Sequence, residues 1–403
     1  MNESLDRRCF VQQASAALAL PALPRTAQTN KTAGLSAEFT ARVPQFLEWA
    51  NVPGLSAAIV NDGKLAWARS FGLKRAGANN PMDDNTLIAA GSLSKPVFAY
   101  GVLKLREEKL LDLDRPLVNY LNASDLPDDP RTKLITARHC LTHSTGWQNW
   151  RFQAGDTLRF AFNPGERFSY SGEGMYLLQR VVEQLTGRGF EAFMRERVLD
   201  PLGMTRSTYL RLPGHDADVA SGHNARNLPQ EFSSPQQRQK LLELAQEWNK
   251  PVATWRYEDV LRAQPKLAPG TPAFPNFFTP NCAGSLLTTP SEYSRFIIRL
   301  MERAPQDAAS LSESTRREML TPQIKINSAI AWGLGIGLET EAGKTGFWHW
   351  GDNGTFKAFV YGDPVARSGV VVLTNGSNGH KLWQRIVAEA TGRDHAAFLF
   401  WMT

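Results

Sequence analysis

The chain has 403 residues, 42% of them hydrophobic and 21% charged, which is enough apolar material for one large or two modest cores and argues against a disordered protein. Lysine and arginine exceed aspartate and glutamate by six (45 against 39), and without a basic run this small excess argues against a nucleic-acid-binding protein. Three cysteines exclude a disulfide scaffold, and no apolar stretch approaches the ~18 residues of a membrane helix.

Residues 1–27 have the pattern of a targeting segment. The pair Arg7-Arg8 precedes a short apolar stretch, Ala14 to Leu23, and this arrangement resembles a twin-arginine export signal. The segment predicts a periplasmic or secreted protein, and a disordered or amphipathic N-terminal arm is the alternative. Export would bring the two later cysteines, Cys140 and Cys282, into an oxidising compartment, and the sequence leaves their pairing open.

Beyond residue 35 the pattern predicts a helix and then a β-hairpin, whose strands 55–60 and 65–70 are joined by the turn Asn61-Asp62-Gly63. Helical patterns dominate from there to about residue 280, and the predicted helices cover residues 92–111, 137–142, 175–185, 190–198 and 234–248. Strand character returns after Ile330, and the last predicted elements are strands 355–361 and 369–374 and a helix over 382–390.

Strands at both ends of the chain with helices between them predict an α/β fold of the α+β sandwich type. An antiparallel sheet flanked by helices would be built from residues 35–105 and 282–403. An all-helical domain, residues 106–281, would be inserted between these two segments.

Ser92 and Lys95 are three positions apart at a predicted helix start, where their side chains would share one face. A serine hydroxyl becomes a good nucleophile when a base accepts its proton, and a lysine can do so if burial lowers its pKa. The spacing also occurs by chance, so an ordinary helix start with an exposed lysine is the alternative.

Two further segments carry side chains suited to proton transfer or substrate binding. Tyr170 precedes a predicted helix and could shuttle a proton if a cation lowered its pKa, with core packing as the alternative. His349-Trp350-Gly351 lies on a strand that enters a tight turn, where glycine lets a ligand backbone approach. His349 would point a cationic or neutral donor towards the same cleft, and a structural histidine is the alternative.

Several blocks together resemble the serine β-lactamase and penicillin-binding-protein superfamily, and among its branches the class C β-lactamases most closely. That branch includes DD-carboxypeptidases, D-aminopeptidases and β-lactamase-like esterases. The resemblance runs from about residue 53 to residue 372, and its blocks stand in the family order: Gly91-Ser92-Leu93-Ser94-Lys95, Leu141-Thr142-His143-Ser144-Thr145-Gly146, Tyr170-Ser171-Gly172, Pro201-Leu202-Gly203-Met204 and Ala283-Gly284-Ser285-Leu286.

The resemblance implies a role for each matching position. Ser92 would be the acylated nucleophile, and Lys95 and Tyr170 would be the proton-transfer pair. His349-Trp350-Gly351 would stand where many relatives have Lys-Thr-Gly. The backbone N–H groups of Ser92 and Asp352 would form the oxyanion hole, which is usually worth ~10²–10³ in rate per donor.

The chain differs from the family pattern in two places, a second copy of the triplet and a glycine at position 172. The segment Lys344-Thr345-Gly346 spells the family triplet literally, but the family expects a second glycine three residues after the first. Gly354 meets that condition for Gly351, so the earlier segment is rejected. Gly172 stands where many β-lactamases have an asparagine that binds the substrate's side-chain amide, which weakens the case for strong β-lactam turnover.

The sequence therefore predicts a serine hydrolase that cleaves an ester or amide bond, with a β-lactam among the candidates, through an acyl-enzyme on Ser92. A β-lactamase, DD-carboxypeptidase or D-aminopeptidase proper is one alternative, and a non-catalytic cell-wall-binding protein of the same fold is another. The expected partner is a small-molecule ester, amide or β-lactam, and no cofactor is predicted.

The remaining side chains near the predicted cleft are histidines and tryptophans. His139 and His143 are four positions apart, but no glutamate follows His139, so both are interpreted as structural and no metal is predicted. We expect cleft-lining positions at Gly172 and at four tryptophans, with core packing as the alternative for the indoles: Trp147, Trp150, Trp348 and Trp350.

Overall fold

The computed structural model describes residues 34–151, 156–231, 233–269, 278–341 and 343–400. These residues belong to one compact unit, and the predicted division at residues 106 and 281 stays a prediction. The predicted export signal, residues 1–27, lies outside the described residues, so export also stays a prediction. Among the helices of the described ranges, none is both long and apolar enough to cross a bilayer.

The strands of the described chain are, in order, Gly54–Asn61 (β1), Lys64–Gly72 (β2), Ile88–Ala89 (β3), Gly222–His223 (β4), Pro229–Gln230 (β5), Leu287–Thr288 (β6), Ile324–Lys325 (β7), Ile330–Trp332 (β8), Gly337–Glu341 (β9), Lys344–Asp352 (β10), Lys357–Asp363 (β11) and Ser368–Thr374 (β12). Eight of them form one antiparallel sheet in the order β2-β1-β12-β11-β10-β9-β8-β7. Because β1 pairs with β12, the sheet joins both ends of the chain, and the predicted fold class is confirmed.

The α-helices are Ala37–Ala50 (α1), Ser94–Glu107 (α2), Ala137–Leu141 (α3), Gly172–Thr186 (α4), Phe190–Met194 (α5), Pro235–Glu247 (α6), Tyr257–Leu267 (α7), Pro290–Leu300 (α8), Glu313–Met319 (α9) and His380–Thr391 (α10). The region between the two sheet-forming segments is mainly helical, with one small ribbon of β4 and β5. Several helices begin at a side-chain cap of the usual kind, and Ser171 at the start of α4 accepts the backbone N–H of Gly174.

Helices cover both faces of the sheet, and the alternation along β12 shows why. Val370 and Val372 point into the core that also contains side chains of α1 and α10. Val371 and Leu373 point into the larger core that contains side chains of α2 and α8. Burial of each such side chain contributes ~1.5–3 kcal/mol, so a register shift of one residue in this strand would be strongly unfavourable.

Two predicted boundaries move for identifiable reasons. The predicted helix over 92–111 is a 3₁₀ turn, Gly91–Leu93, followed by α2, and the chain leaves the helix where Lys109 adopts a left-handed φ of 59°. The predicted strand over 355–361 begins two residues later, at Lys357, because the hairpin turn contains Gly354 with φ of 70°. The other predicted elements occur close to their expected positions.

Candidate active site

The start of α2 brings together the first two predicted site residues. The 3₁₀ turn Gly91–Leu93 leads directly into the helix, which leaves Ser92 half-buried and Lys95 buried. The Lys95 Nζ donates hydrogen bonds to the Ser92 Oγ at 3.0 Å and to the backbone carbonyl of Ala283 at 2.7 Å. Ala283 was noted in the sequence only as part of a block, and its carbonyl is a functional group that sequence reasoning missed.

Burial changes the acid–base chemistry of Lys95. The hydrogen-bond partners of Lys95 among the described residues are both uncharged, a hydroxyl and a backbone carbonyl. Burial lowers the pKa of Lys95 from 10.5 to about 7, and only the neighbouring Cys282 thiol acts in the opposite direction. A large fraction of the amine is therefore neutral at pH 7, and its lone pair can accept the Ser92 proton over 3.0 Å.

Tyr170 lies beside the same amine. The Lys95 Nζ is 4.8 Å from the centroid of the Tyr170 ring, and the phenol oxygen is buried without a well-formed hydrogen bond to the described residues. Burial raises the pKa of Tyr170, and the nearby Ser92 side chain lowers it by less. Tyr170 therefore stays a protonated phenol at neutral pH, whereas the sequence pattern suggested a tyrosine whose pKa a cation would lower.

His349 lies on β10 and is buried next to Lys95 and Tyr170. Its ring centroid is 6.4 Å from that of Tyr170. A carbonyl oxygen can only accept a hydrogen bond, so the contact of 2.8 Å between His349 Nδ1 and the Trp350 carbonyl assigns the proton to Nδ1. Burial and the Lys95 charge lower the pKa of His349 to about 3.

The His349 Nε2 is therefore a buried hydrogen-bond acceptor, and it has no partner among the described residues. The expectation that His349 points a donor, cationic or neutral, towards the cleft is wrong in this structure. The physical reason is that the hydrogen-bond partner of the ring among the described residues is a backbone carbonyl, which takes the single proton of the neutral imidazole.

The predicted oxyanion donors lie on adjoining segments. A Cβ built on Gly91 would be 2.9 Å from the backbone nitrogen of Asp352, and a Cβ on Gly351 would overlap the carbonyl of Ala90. Gly91 also has a left-handed φ of 54°. Glycine at both positions therefore lets the end of β10 pass against the turn that carries Ser92, and Ser92 and Asp352 each directly follow one of these two glycines.

The literal triplet Lys344-Thr345-Gly346 lies at the opposite end of the same strand. Gly346 precedes Gly351 by five residues, which corresponds to about 17 Å at ~3.3 Å per residue. Thr345 Oγ1 contacts Thr340 at 3.1 Å, and a Cβ on Gly346 would meet the Tyr361 side chain. The structure brings Gly351, and not Gly346, next to the nucleophile turn.

Trp150 occupies the space beside Gly172. A Cβ built on Gly172 would overlap the indole carbon Cζ2 of Trp150. The loop that carries this indole is fixed to the start of α4, because Asn149 Oδ1 accepts the Gly172 N–H at 2.8 Å and Arg151 forms an ion pair with Glu173 at 2.9 Å. An asparagine side chain at position 172 is therefore incompatible with this position of Trp150.

The other three tryptophans are core residues. Trp147 belongs to the larger core, in which it packs near Phe160. Trp348 and Trp350 belong to the core under α1 and α10. Core packing, the alternative interpretation, describes these three indoles, and only Trp150 is half-buried.

The two described cysteines and the histidine pair have separate local roles. Cys140 and Cys282 are both buried and are not joined by a disulfide, and the Cys282 thiol donates to the Met175 carbonyl at 3.3 Å. His139 Nδ1 accepts the N–H of Thr136 at 3.2 Å, in the capping box of α3. His143 lies instead against Tyr170, with the ring centroids 4.2 Å apart.

Comparison with known proteins assigns the family. The Beta-lactamase family model matches residues 39–390. The chain belongs to the beta-lactamase family. The resemblance inferred from the ordered blocks is therefore confirmed.

Individual relatives include both esterases and penicillin-binding proteins. Esterase EstB of Burkholderia gladioli is 29% identical over 210 residues, which are 45% of this chain and 53% of the esterase. Penicillin-binding protein 4 of Amycolatopsis lactamdurans is 24% identical over 365 residues, covering 85% of this chain and 86% of that protein. The chain thus spans about half the length of the esterase that it matches, and these relatives support a hydrolase in general.

The solved structures support the same fold. The D-alanine carboxypeptidase AmpC of Burkholderia cenocepacia is 18% identical, with a TM-score of 0.66 over 88% of this chain and 97% of that one. At this identity the likeness establishes the fold and leaves the substrate to be argued from the site.

Proposed function

We propose that the protein is a serine hydrolase that cleaves esters through an acyl-enzyme on Ser92. The observation that carries the proposal is the buried Lys95 amine, 3.0 Å from the Ser92 hydroxyl and with a pKa of about 7. A neutral amine at this distance is a suitable general base for a serine nucleophile.

Acylation would proceed in one balanced sequence. Ser92 Oγ attacks the carbonyl carbon while its proton moves to Lys95 Nζ. The negative charge that develops on the carbonyl oxygen is held by the N–H groups of Ser92 and Asp352. As the tetrahedral intermediate collapses, the Tyr170 phenol gives its proton to the leaving alcohol oxygen and regains one from the Lys95 ammonium.

Deacylation would use the same groups with water in place of the alcohol. Water adds to the acyl carbon and loses a proton to the base, and the Ser92 Oγ leaves as a hydroxyl after receiving that proton. The acid product is released and Lys95 is again neutral. The side chains of Ser92, Lys95 and Tyr170 account for every proton transfer in this sequence.

The surroundings favour a neutral substrate with an apolar acyl group. The half-buried Trp150 indole fills the space that an asparagine side chain at position 172 would need, so the substrate meets an apolar ring there in place of an amide. His349 is neutral, and the Lys357 ammonium is already paired with the Asp352 carboxylate, so an anionic substrate gains little attraction at this end of the sheet. These features support an ester in preference to a β-lactam or a peptide carboxylate.

The test is a substrate panel on the purified protein. A short-chain p-nitrophenyl ester, a chromogenic cephalosporin and a D-Ala-D-Ala peptide are compared for wild type, Ser92→Ala and the exposed control Ser314→Ala. We expect the ester to be turned over fastest and Ser92→Ala to lose that turnover and its labelling by a fluorophosphonate, while Ser314→Ala keeps both. Equal turnover or labelling by wild type and Ser92→Ala would remove the proposal and favour a non-catalytic binding protein.

A further inference from the structure

His143 is a buried residue with an unusual backbone conformation. It is fully enclosed, with 0% of its surface exposed, and its φ of 53° lies in the left-handed region that only a few per cent of non-glycine residues adopt. Such a conformation is unfavourable for a residue with a Cβ and persists only where the surroundings hold it in place. The His143 ring packs against Tyr170, Trp332 and Phe168, and its carbonyl and Nδ1 contact the backbone on either side of Tyr170.

Three separate contacts connect His143 to this short segment. The His143 carbonyl accepts the N–H of Ser169 at 2.7 Å. The His143 Nδ1 accepts the N–H of Ser171 at 3.1 Å. The imidazole ring lies against the Tyr170 ring, with the centroids 4.2 Å apart. The backbone is therefore held before and after Tyr170, and its ring is held between these two points.

The hydrogen bond from Ser171 also determines the tautomer of His143. Because Nδ1 accepts an N–H, the single proton of the neutral ring is on Nε2. That Nε2–H is buried and has no hydrogen-bond partner among the described residues. Leaving a buried donor unpaired is unfavourable, and the ring keeps this orientation, in which Nδ1 bonds to Ser171 and Nε2 has no partner among the described residues.

The segment that His143 holds also begins α4. Ser171 is the N-cap of that helix, and the residue after it, Gly172, is the one packed under Trp150. The left-handed turn at His143 lets one residue satisfy both the backbone N–H before Tyr170 and the backbone N–H after it. This arrangement fixes where the Tyr170 phenol oxygen lies relative to the Lys95 amine.

We propose that His143 is a positioning residue for the reaction. Its carbonyl, its Nδ1 acceptor and its ring hold Tyr170 at a fixed position relative to Ser92 and Lys95. The inference rests on the proposed function, because it assigns His143 a role only through the proton transfer made by Tyr170. His143 itself does not touch the reacting atoms.

The test uses substitutions that remove the contacts separately. His143→Asn places an acceptor oxygen at the position of Nδ1 and tolerates the left-handed backbone, whereas His143→Ala removes both acceptor and ring. We expect His143→Ala to lower kcat for the ester about 10- to 100-fold with KM changed by less than about threefold, and His143→Asn to retain at least about a third of the wild-type kcat. His139→Asn, in the same segment but bonded to Thr136, is the matched control and keeps wild-type kcat.

A double-mutant cycle separates positioning from general destabilisation. If His143 acts through the Tyr170 hydroxyl, His143→Ala in a Tyr170→Phe background lowers kcat by less than about twofold further. A further tenfold loss in that background, or His143→Asn falling to the level of His143→Ala, would overturn the inference.

The same measurements distinguish this inference from the proposed function. Should Tyr170→Phe retain wild-type kcat, the proton-transfer role of Tyr170 is wrong and the inference is wrong with it. Should Tyr170→Phe be impaired while His143→Ala is not, the proposed function stands and the inference alone is overturned. Thermal unfolding of each variant identifies any that do not fold, and His143→Asn then carries the test, because its backbone requirement is met.

Discussion

Replacing Lys95 by methionine tests the central electrostatic claim without an activity assay. The side chains have similar length, but methionine carries no titratable group, so Lys95→Met removes the buried amine and leaves the Ala283 carbonyl without its donor. The lost hydrogen bond has the same cost at every pH between 7 and 9. Any change with pH in the stability difference between the two proteins therefore reports on the Lys95 amine.

The sign follows from the direction of the pKa change. The pKa of Lys95 is about 7 in the folded protein against 10.5 for an ordinary lysine. Between these values the unfolded chain binds one proton more than the folded chain, so the stability of the wild type rises with pH relative to Lys95→Met. The cost of burying the amine is largest below pH 7 and disappears above the pKa of the unfolded state.

The expected magnitude is large enough to measure. At about 1.4 kcal/mol per pH unit, lowering the pKa from 10.5 to about 7 costs roughly 4 kcal/mol at pH 7 and roughly 2 kcal/mol at pH 9. We therefore expect the wild type to gain about 2 kcal/mol of unfolding free energy over Lys95→Met between pH 7 and pH 9. The Lys95 charge also affects the pKa values of His143, His349 and Cys282, but burial is the largest cause of each shift and keeps the two histidines well below pH 7 and the thiol well above pH 9, so they contribute little in this range. The remaining titrating groups are common to the two proteins, and their contributions cancel in the difference.

Urea unfolding of both proteins at pH 7, 8 and 9 measures this difference. Lys240→Met is the matched control, because the Lys240 side chain on α6 is 43% exposed and water solvates its charge. We expect its stability difference from wild type to stay constant over the same pH range. Parallel behaviour of wild type and Lys95→Met would refute the reasoning, since it would mean that Lys95 keeps an ordinary pKa in the folded protein.

Three further outcomes are expected. The kcat/KM for the ester should rise with pH through about 7, because Lys95 must lose its proton to act as a base, and a flat profile from pH 6 to 8 would contradict this. Gly351→Ala should lower kcat at least ~10²-fold, because the added Cβ pushes the end of β10 away from the turn that carries Ser92. Gly346→Ala, at the other end of the strand, should lower kcat far less. The reverse order would mean that the wrong triplet was chosen. Gly172→Asn should destabilise the wild type by ~1–3 kcal/mol but should cost little in a Trp150→Ala background, and equal costs in both, measured by urea unfolding, would show that the indole does not fill that space.

Local patterns were sufficient to predict the elements that build the sheet. Short β-like runs and the Asn-Asp-Gly turn predicted β1 and β2, and the strand character near the C-terminus predicted β11 and β12. These predictions succeed because each depends on side chains that are neighbours along the chain. The ordered blocks also predicted which side chains would meet, and the structure places Lys95 beside both Ser92 and Tyr170.

The chemical state of these side chains was not predictable in the same way. The protonation of His349 depends on the backbone carbonyl that happens to lie next to its ring, and the donor role expected from sequence was wrong for that reason. The space available for a side chain at position 172 depends on the Trp150 indole, which belongs to a different loop. The role of His143 depends on a left-handed turn and on a tyrosine 27 positions later in the chain.

The amino-acid order alone was sufficient to predict the family and the two-segment sheet, because these follow from short patterns and their sequence, and it singled out Ser92 as the candidate nucleophile. Tertiary structure alone decided that the pKa of Lys95 falls to about 7, because this value depends on how completely distant segments exclude water from the amine. The carbonyl that anchors this amine comes from Ala283, 188 positions away. Desolvation is a property of the assembled surroundings and is not a property of any local stretch of chain.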